Sequence, residues 1–168
     1  MALIPIVYHP HPALHKMASA VTVFDEALKK LIHDMYETMY AANGVGLAAP
    51  QIAITKRLAV IDVSDERNQP FCIINPEIIE KTGEELMEAG CLSVPSTYDK
   101  VPRATRVKVR AQDETGKFFE IEGEGLLGHC LQHEIDHLDG KLYIDYLSPL
   151  KRGLLLKKMQ KHLRHKDK

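Results

Sequence analysis

The sequence lacks most of the features that would assign it to a class at once. Its 168 residues include only three cysteines, Cys72, Cys91 and Cys130, and no two of them are close in the chain. An odd number without paired spacing argues against a disulfide framework and favours a reducing compartment. The formal net charge is −1, so composition gives no general case for binding nucleic acid or membrane surfaces.

Long apolar runs are also missing. No stretch approaches the ~20 apolar residues that a membrane-spanning helix needs. The short apolar patch from Leu3 to Tyr8 is interrupted by Pro5, so we expect no signal peptide, no membrane partner and a cytoplasmic location. No repeat or linker divides the chain, and we expect residues 1–168 to form a single domain with a C-terminal helix and basic tail over 149–168.

Apolar residues at helical spacing predict a first helix over about 26–41. Asp25 is its expected N-cap, and Asn43-Gly44 is its expected end, because both residue types tolerate the left-handed conformation. His33 falls outside the apolar stripe, so we expect it to face solvent.

The remaining elements follow from their apolar patterns. They are strands at 57–63, 71–75 and 105–111, a hairpin partner beginning at Phe118, and helices over about 125–138 and 149–164. This order predicts an α+β fold rather than a parallel α/β sheet. We expect small mixed or antiparallel sheets packed around a central helix, with another helix at the C-terminus.

The strongest chemical signal is His133-Glu134-Ile135-Asp136-His137, an H-E-x-x-H pattern in the predicted helix at 125–138. Residues four apart share one helical face, so both imidazoles can bind one metal ion. Glu134 lies beside the first histidine and can act on a metal-bound water. A catalytic site of this kind needs three protein ligands and an open position, so a third ligand is required.

The residues alone leave the third ligand open. Cys130 and His129 would lie about 7.5 and 9 Å along the helix axis from the ion, too far for metal bonds, so we expect them in a wall or the core. Cys72 lies in an apolar run and is expected to be buried. Cys91, in a glycine-flanked turn, can offer a thiolate. Asp145 is the acidic alternative.

Three segments together resemble the peptide deformylase family. They are Gly44-Val45-Gly46-Leu47-Ala48-Ala49-Pro50-Gln51, Gly90-Cys91-Leu92-Ser93 and Gln132-His133-Glu134-Ile135-Asp136-His137-Leu138, in the family's order and separation. The tail from Asp145 to Leu150 is similar to that of the bacterial members. The resemblance covers nearly the whole chain, and it implies a metal-dependent hydrolase that removes the N-formyl group from the N-formylmethionine of nascent polypeptides and releases formate.

The resemblance also implies roles for individual residues. The metal ligands would be Cys91, His133 and His137. Glu134 would be the general acid/base while metal-bound water attacks the formyl carbon, with the Gln51 amide and the Leu92 backbone N–H at the oxyanion. The residues implied at the substrate are Val45, Gly46, Gly90, Leu126, His129 and Cys130, with the segment around Val45 and Gly46 pairing with the substrate backbone as an added strand.

The implied cofactor is one divalent metal ion, Fe²⁺ in the cell, which Zn²⁺, Ni²⁺ or Co²⁺ can replace. The implied partners are N-formylmethionyl nascent peptides, acted on by a monomer. Residues 151–168 carry eight Lys and Arg against one acid, Asp167. This segment is either a helix that docks on ribosomal RNA or a solvated basic tail.

Two positions depart from the family pattern. Ala89 replaces the acid that commonly precedes Gly-Cys-Leu-Ser. If that acid anchors the cysteine loop to a base such as Arg103, the anchor is lost or shifted here. His129 stands where we would expect a small or apolar pocket residue, so it either makes the pocket more polar or faces solvent.

Two other functions are compatible with an H-E-x-x-H pattern. One is a small zincin-type endopeptidase, although Tyr143 stands where one zincin class has its third histidine. The other is a metal-stabilised binding module without enzymatic activity. A closed structural site would have no need of Glu134, which disfavours the binding module.

Overall fold

The structure is a computed structural model that describes residues 3–166. Asp167, in the predicted basic tail, lies outside the described residues. The α-helices are α1 (Glu26–Ala41), α2 (Gly125–Leu138) and α3 (Pro149–Lys166). The strands are β1 (Gly46–Ala48), β2 (Leu58–Ile61), β3 (Phe71–Thr82), β4 (Glu85–Cys91), β5 (Val94–Arg103), β6 (Arg106–Gln112) and β7 (Phe118–Glu124).

Five strands form one antiparallel sheet in the order β1-β2-β3-β6-β7, and β4 and β5 form a separate antiparallel pair. The predicted α+β class with small sheets and a C-terminal helix is therefore confirmed. β1 is the edge of the larger sheet and pairs with β2 through registers such as Leu47 opposite Val60.

The helices form where the sequence predicts them. Asp25 caps α1, and its carboxylate accepts a hydrogen bond from the Leu28 backbone N–H at 3.0 Å. Asn43 follows the helix with a left-handed φ of 58°. His33 is exposed and Cys72 is buried, both as predicted.

The largest difference from the predicted elements is the β4–β5 hairpin, which the apolar pattern does not indicate. Buried and exposed residues do not alternate along β4, and β5 contains Pro95 and Pro102. Proline removes a backbone donor, and in strands it is confined to edges. A two-stranded sheet has only edge strands, so it accepts the prolines that make its sequence unlike a strand. β3 also continues to Thr82, seven residues beyond the predicted end.

The larger sheet is covered by a helix on each face. Successive side chains of a strand point to opposite faces, and in β2 Ala59 and Ile61 pack in the cluster that contains α2, whereas Leu58 and Val60 pack with α1. α2 contributes Leu131, Ile135 and Leu138 to its face, and α1 contributes Ile32, Met35 and Met39 to the other.

A third apolar cluster joins the β4–β5 hairpin to α3. The hairpin contributes the buried residues Ala89 and Val101 to this cluster. They pack with Met159 of α3 and with Tyr143 of the short 3-10 turn that precedes α3. The hairpin is therefore held against the C-terminal part of the chain. Within the described residues, no helix is both long and apolar enough to cross a membrane.

Candidate metal centre

α2 buries an unusual number of polar side chains for a helix on a sheet face. These side chains are at most 9% exposed, and they are His129, Gln132, His133, Glu134 and His137. Gln132 anchors the helix, because its amide accepts a hydrogen bond from the Ala104 N–H at 2.8 Å and donates to the Ala104 carbonyl at 3.0 Å. Burying polar groups is unfavourable unless they have hydrogen-bond or ion partners. The burial of the three histidines and Glu134 therefore requires an explanation.

The two histidines of the motif lie next to a cysteine from strand β4. His133 Nε2 and His137 Nε2 are 3.1 Å apart, and Cys91 Sγ is 3.4 Å from His137 Nε2. All three donor atoms lie within 4.8 Å of one another. Three donors bound tetrahedrally to one ion at ~2.0–2.3 Å would be roughly 3.3–3.8 Å apart. The arrangement therefore fits one metal ion held by one thiolate and two imidazoles.

The hairpin positions the cysteine. Cys91 is the last residue of β4 and pairs with Val94 across the turn. A side chain at Gly90 would lie 2.7 Å from the ring of Tyr98, so glycine lets β5 close over the residue before the ligand. Asp145, the acidic alternative, is not part of the cluster. Its carboxylate instead accepts the backbone N–H of Leu142 at 2.9 Å.

The electrostatics of the cluster favour a bound cation. Burial lowers the pKa of His137 to about 3 and that of His133 well below its usual range, and the charge of Arg103 lowers both further. Both imidazoles are therefore neutral and able to act as ligands. Burial raises the pKa of the Cys91 thiol to about 12, so a thiolate at this position needs a compensating positive charge. The Nδ1 atom of His137 is buried without a hydrogen-bond partner.

Glu134 is the acidic group of the centre. Its Oε1 is buried without a hydrogen-bond partner, and its Oε2 is 3.9 Å from Cys130 Sγ. Burial raises the pKa of Glu134 to about 8, against the opposing effect of Arg103. A side chain at Gly46 would lie 2.3 Å from Oε2, so only glycine lets β1 approach the carboxylate this closely.

Gln51 presents its amide nitrogen to the same centre. It lies in a 3-10 turn, Ala49–Ile52, and its Oε1 accepts the Ala48 N–H at 2.9 Å. Its Nε2 is then 3.2 Å from Ser93 Oγ and 3.6 Å from Cys91 Sγ. The hydrogen bond from Ala48 fixes which end of the amide faces the centre. Sequence reasoning did not single out Ser93 for this contact.

The partner of Arg103 differs from the expected one. Ala89 is buried among apolar residues and has no acidic group to offer. Arg103 Nη1 instead contacts Asp136 Oδ2 at 2.7 Å, and Tyr146 donates its hydroxyl to the same oxygen at 2.8 Å. The guanidinium also lies 5.1 Å from the centre of the Tyr146 ring. The expected anchor of the hairpin is thus shifted, and it joins β5 to the metal-binding helix.

A cavity with a volume of about 400 Å³ opens beside the metal centre. Its wall contains all six residues predicted to bind substrate, together with Gln51, Leu92, Cys91, His133 and Glu134. His129 is buried and lines the cavity, which rules out the solvent-facing alternative. The wall residues that the sequence did not reveal include Glu88, Pro95, Ser96, Thr97 and Tyr98. They were missed because they lie in the unpredicted β4–β5 hairpin, which has no strand pattern.

Comparisons with known proteins identify the family of this chain. The sequence profile of the family described as polypeptide deformylase matches residues 3–153. A peptide deformylase from Chromobacterium violaceum is 53% identical over 161 residues, covering 96% of each chain. One from Tolumonas auensis is 52% identical over 165 residues, covering 98% of this chain and 99% of the other.

Solved structures give the same result. The crystal structure of a peptide deformylase from Legionella pneumophila superposes with a TM-score of 0.97 and 53% identity, covering 99% of each chain. The peptide deformylase of Ehrlichia chaffeensis, crystallised in complex with actinonin, gives a TM-score of 0.92 at 38% identity, covering 96% of this chain and 98% of that one.

Proposed function

This chain belongs to the peptide deformylase family, and from that premise we propose that it removes the formyl group from N-formylmethionine at the start of nascent polypeptides and releases formate. The observation that carries the proposal is the meeting of Cys91, His133 and His137 beside the carboxylate of Glu134, on the wall of one cavity.

We propose that Cys91, His133 and His137 hold one divalent metal ion. A thiolate with two imidazoles suits Fe²⁺ or Zn²⁺, and Fe²⁺ is the ion we propose in the cell, with Zn²⁺, Ni²⁺ and Co²⁺ as replacements. When bound, the ion supplies Lewis acidity, which polarises a carbonyl oxygen and lowers the pKa of water.

Glu134 is the proposed general acid and base. Burial raises the pKa of Glu134 to about 8, and the positive charge of a bound ion would lower it. The carboxyl group would therefore titrate close to neutral pH, where proton transfer in both directions is effective. In the proposed reaction Glu134 accepts a proton from the attacking water. It then delivers that proton to the amine nitrogen as the C–N bond of the formamide breaks.

Gln51 and Leu92 are the proposed donors to the developing oxyanion. The orientation of Gln51, with Nε2 directed toward Cys91 and Ser93, supports an N–H donor held in place before the substrate arrives. The proposed second donor is the backbone N–H of Leu92. Loss of one such donor typically lowers the rate by about 10²–10³.

The edge strand β1 supports a way to bind the peptide. Among the named strands β1 pairs only with β2, and Val45 and Gly46 lie on the cavity wall. We propose that the substrate backbone adds to β1 as a further strand. This pairing would hold the backbone while the first side chain enters the cavity.

The test is formate release from formyl-Met-Ala-Ser by protein loaded with Fe²⁺ under anaerobic conditions. We expect turnover that a chelator abolishes and that added Fe²⁺ or Ni²⁺ restores. No formate release with metal bound would refute the proposal. Cleavage of internal bonds in casein would instead indicate the endopeptidase, and a metal-bound protein without hydrolysis would indicate the binding module. Against the latter, the donor cluster of the described residues has three members rather than four.

We further propose that α3 docks the enzyme, as a cytoplasmic monomer, on ribosomal RNA. The helix packs inward through Leu155, Leu156, Met159 and Leu163. Its outer face exposes the cationic residues Lys151, Lys157, Lys158, Lys161 and Arg164. A cationic face of this kind contacts phosphates, and such binding weakens as salt rises.

Charge removal tests the docking better than truncation, because Met159 is buried and deleting the helix would expose the core. The variant Lys157→Gln, Lys158→Gln, Lys161→Gln, Arg164→Gln should lose ribosome binding and flatten its salt dependence, while formate release from a free peptide is unchanged. Ribosome binding equal to that of the wild type would refute docking through α3.

A further inference from the structure

One wall residue of the cavity is not needed for the mechanism above. His129 lies on α2 one turn before His133, and the two rings are stacked with centroids 6.2 Å apart. Leu126, His129, Cys130 and His133 have the i, i+3, i+4, i+7 spacing of one helical stripe, and all four line the cavity. The stripe leads from the metal centre into the cavity, and His129 is the polar group farther along it.

His129 has unused hydrogen-bonding capacity. Its Nδ1 is buried without a partner, and neither ring nitrogen has a hydrogen bond to any of the described residues. An imidazole keeps at least one N–H donor in either of its ordinary protonation states. A neutral imidazole has one N–H donor and one bare acceptor nitrogen, and burying either one unpaired is unfavourable.

The position of the His129 ring indicates which part of the proposed substrate it contacts. In the proposed substrate the formyl group and the first side chain are attached close together, through the amide nitrogen and Cα. With the formyl carbon beside Glu134 and His133, a methionine side chain directed along the α2 stripe brings its sulfur toward the ring of His129. Thioether sulfur is a weak acceptor, whereas the oxygen of methionine sulfoxide is a strong one.

Resting on the proposed deformylase function, we propose that His129 is a specificity-determining residue that donates a hydrogen bond to the first side chain, so that the enzyme deformylates chains beginning with N-formylmethionine sulfoxide as well as N-formylmethionine. The bonds made and broken are those of formamide hydrolysis, and the sulfoxide is unchanged. An apolar wall would leave the sulfoxide oxygen without a partner, and a buried polar group without a partner is strongly disfavoured.

The experiment compares kcat/KM for three peptides: formyl-Met-Ala-Ser, its methionine sulfoxide form, and formyl-norleucyl-Ala-Ser, in which a methylene replaces the sulfur. We expect wild-type enzyme to use the sulfoxide peptide within about tenfold of the norleucine peptide. In His129→Leu the kcat/KM for the sulfoxide peptide, divided by that for the norleucine peptide, should fall by about tenfold or more. This is the size of the effect expected for one lost hydrogen bond. His129→Gln keeps an N–H donor and should retain most of the ratio.

The controls separate this inference from the function on which it rests. His33→Leu makes the same chemical change on the exposed face of α1 and should leave the ratio unchanged, and metal content is measured for every variant. An equal ratio in wild type and His129→Leu overturns the inference, while absence of turnover with all three peptides overturns the proposed function instead. If His129→Leu does not fold, a wild-type enzyme that disfavours the sulfoxide by more than about a hundredfold overturns the inference alone.

Discussion

The two helices α2 and α3 have similar sequences in one respect, since both are rich in histidine and other polar residues, but they use these residues in opposite ways. α2 places His129, His133, Glu134 and His137 inside the protein, at most 9% exposed. α3 turns its basic residues outward, and its His162 is exposed.

This difference separates polar side chains that are buried around a site from polar side chains that are exposed to solvent. Groups such as Glu134 and His137 carry buried atoms without hydrogen-bond partners. An arrangement of this kind lowers stability by itself, so it indicates groups kept for a ligand or a reaction. Exposed cations lose little hydration and interact weakly with one another. Such cations solvate the surface, and the further role proposed for those of α3 is contact with the phosphates of ribosomal RNA.

The largest effect should come from the acid of α2. Replacing Glu134 by Gln keeps the size of the side chain but removes the base. We expect formate release to fall by about 10²–10⁴, with metal content unchanged because Cys91, His133 and His137 remain. Steady-state kinetics and metal analysis of the same sample test this. Turnover close to the wild-type rate would remove Glu134 from the mechanism and weaken the contrast between the helices.

A smaller effect should come from the buried ion pair that ties α2 to β5. The side chains of Arg103 and Asp136 are 3% and 18% exposed, and Nε and Nη2 of Arg103 already lack partners. Replacing Asp136 by Ala leaves a buried guanidinium uncompensated and should lower the free energy of unfolding by about 3 kcal/mol.

The matched control for that variant is Asp139→Ala. Asp139 pairs with Arg57 at 3.0 Å, but these side chains are 20% and 35% exposed, so we expect a loss of about 1 kcal/mol or less. Urea unfolding of both variants gives the comparison. Equal decreases in unfolding free energy would show that burial does not determine how much these ion pairs contribute to stability.

The pH dependence of stability should be smaller again. The pKa of His129 is about 4 when folded, against 6.5 when unfolded. Below pH 6.5 the unfolded chain therefore binds a proton that the folded chain does not, and stability falls as the pH falls. Glu134, with its raised pKa, acts in the opposite direction between about pH 8 and pH 4.5. The three buried histidines of α2 outnumber it, so acidification should destabilise the protein.

The contribution of His129 to the pH dependence of stability can be measured separately. Between pH 7 and pH 5 wild-type protein should lose about 2 kcal/mol more of its unfolding free energy than His129→Leu. Urea unfolding is measured with chelator present, so that release of a metal ion does not contribute. An identical pH dependence in the two proteins would show that the folded ring titrates normally.

The smallest effect should come from α3. Replacing Lys157 and Lys158 by Gln changes two exposed side chains and should alter the free energy of unfolding by less than about 0.5 kcal/mol, without changing formate release from a free peptide. A large loss of stability or activity in this variant would contradict the view that these cations serve only the outer surface.

Local sequence patterns predicted much of the secondary structure. The spacing of apolar residues predicted α1 and α2 with the bounds that the structure has, because helical periodicity depends on residues three and four apart. The same local reasoning missed β4 and β5. Both are edge strands with mixed burial and prolines, so their identity comes from pairing with each other rather than from a strand pattern.

By itself the sequence determined the elements of the metal centre that are close in the chain. His133 and His137 share a face of α2 because they are four residues apart, and the neighbouring Glu134 follows from the same helix. Residue spacing alone left the third donor open between Cys91 and Asp145, and the family resemblance pointed to Cys91. Only the tertiary structure shows how Cys91 reaches the pair, because it is 46 residues from His137 and is brought there by a hairpin that the apolar pattern does not indicate. It also decided that His129 lines the cavity and that Arg103 pairs with Asp136. Contacts between distant segments depend on how sheets and helices pack, and no periodicity in the chain encodes them.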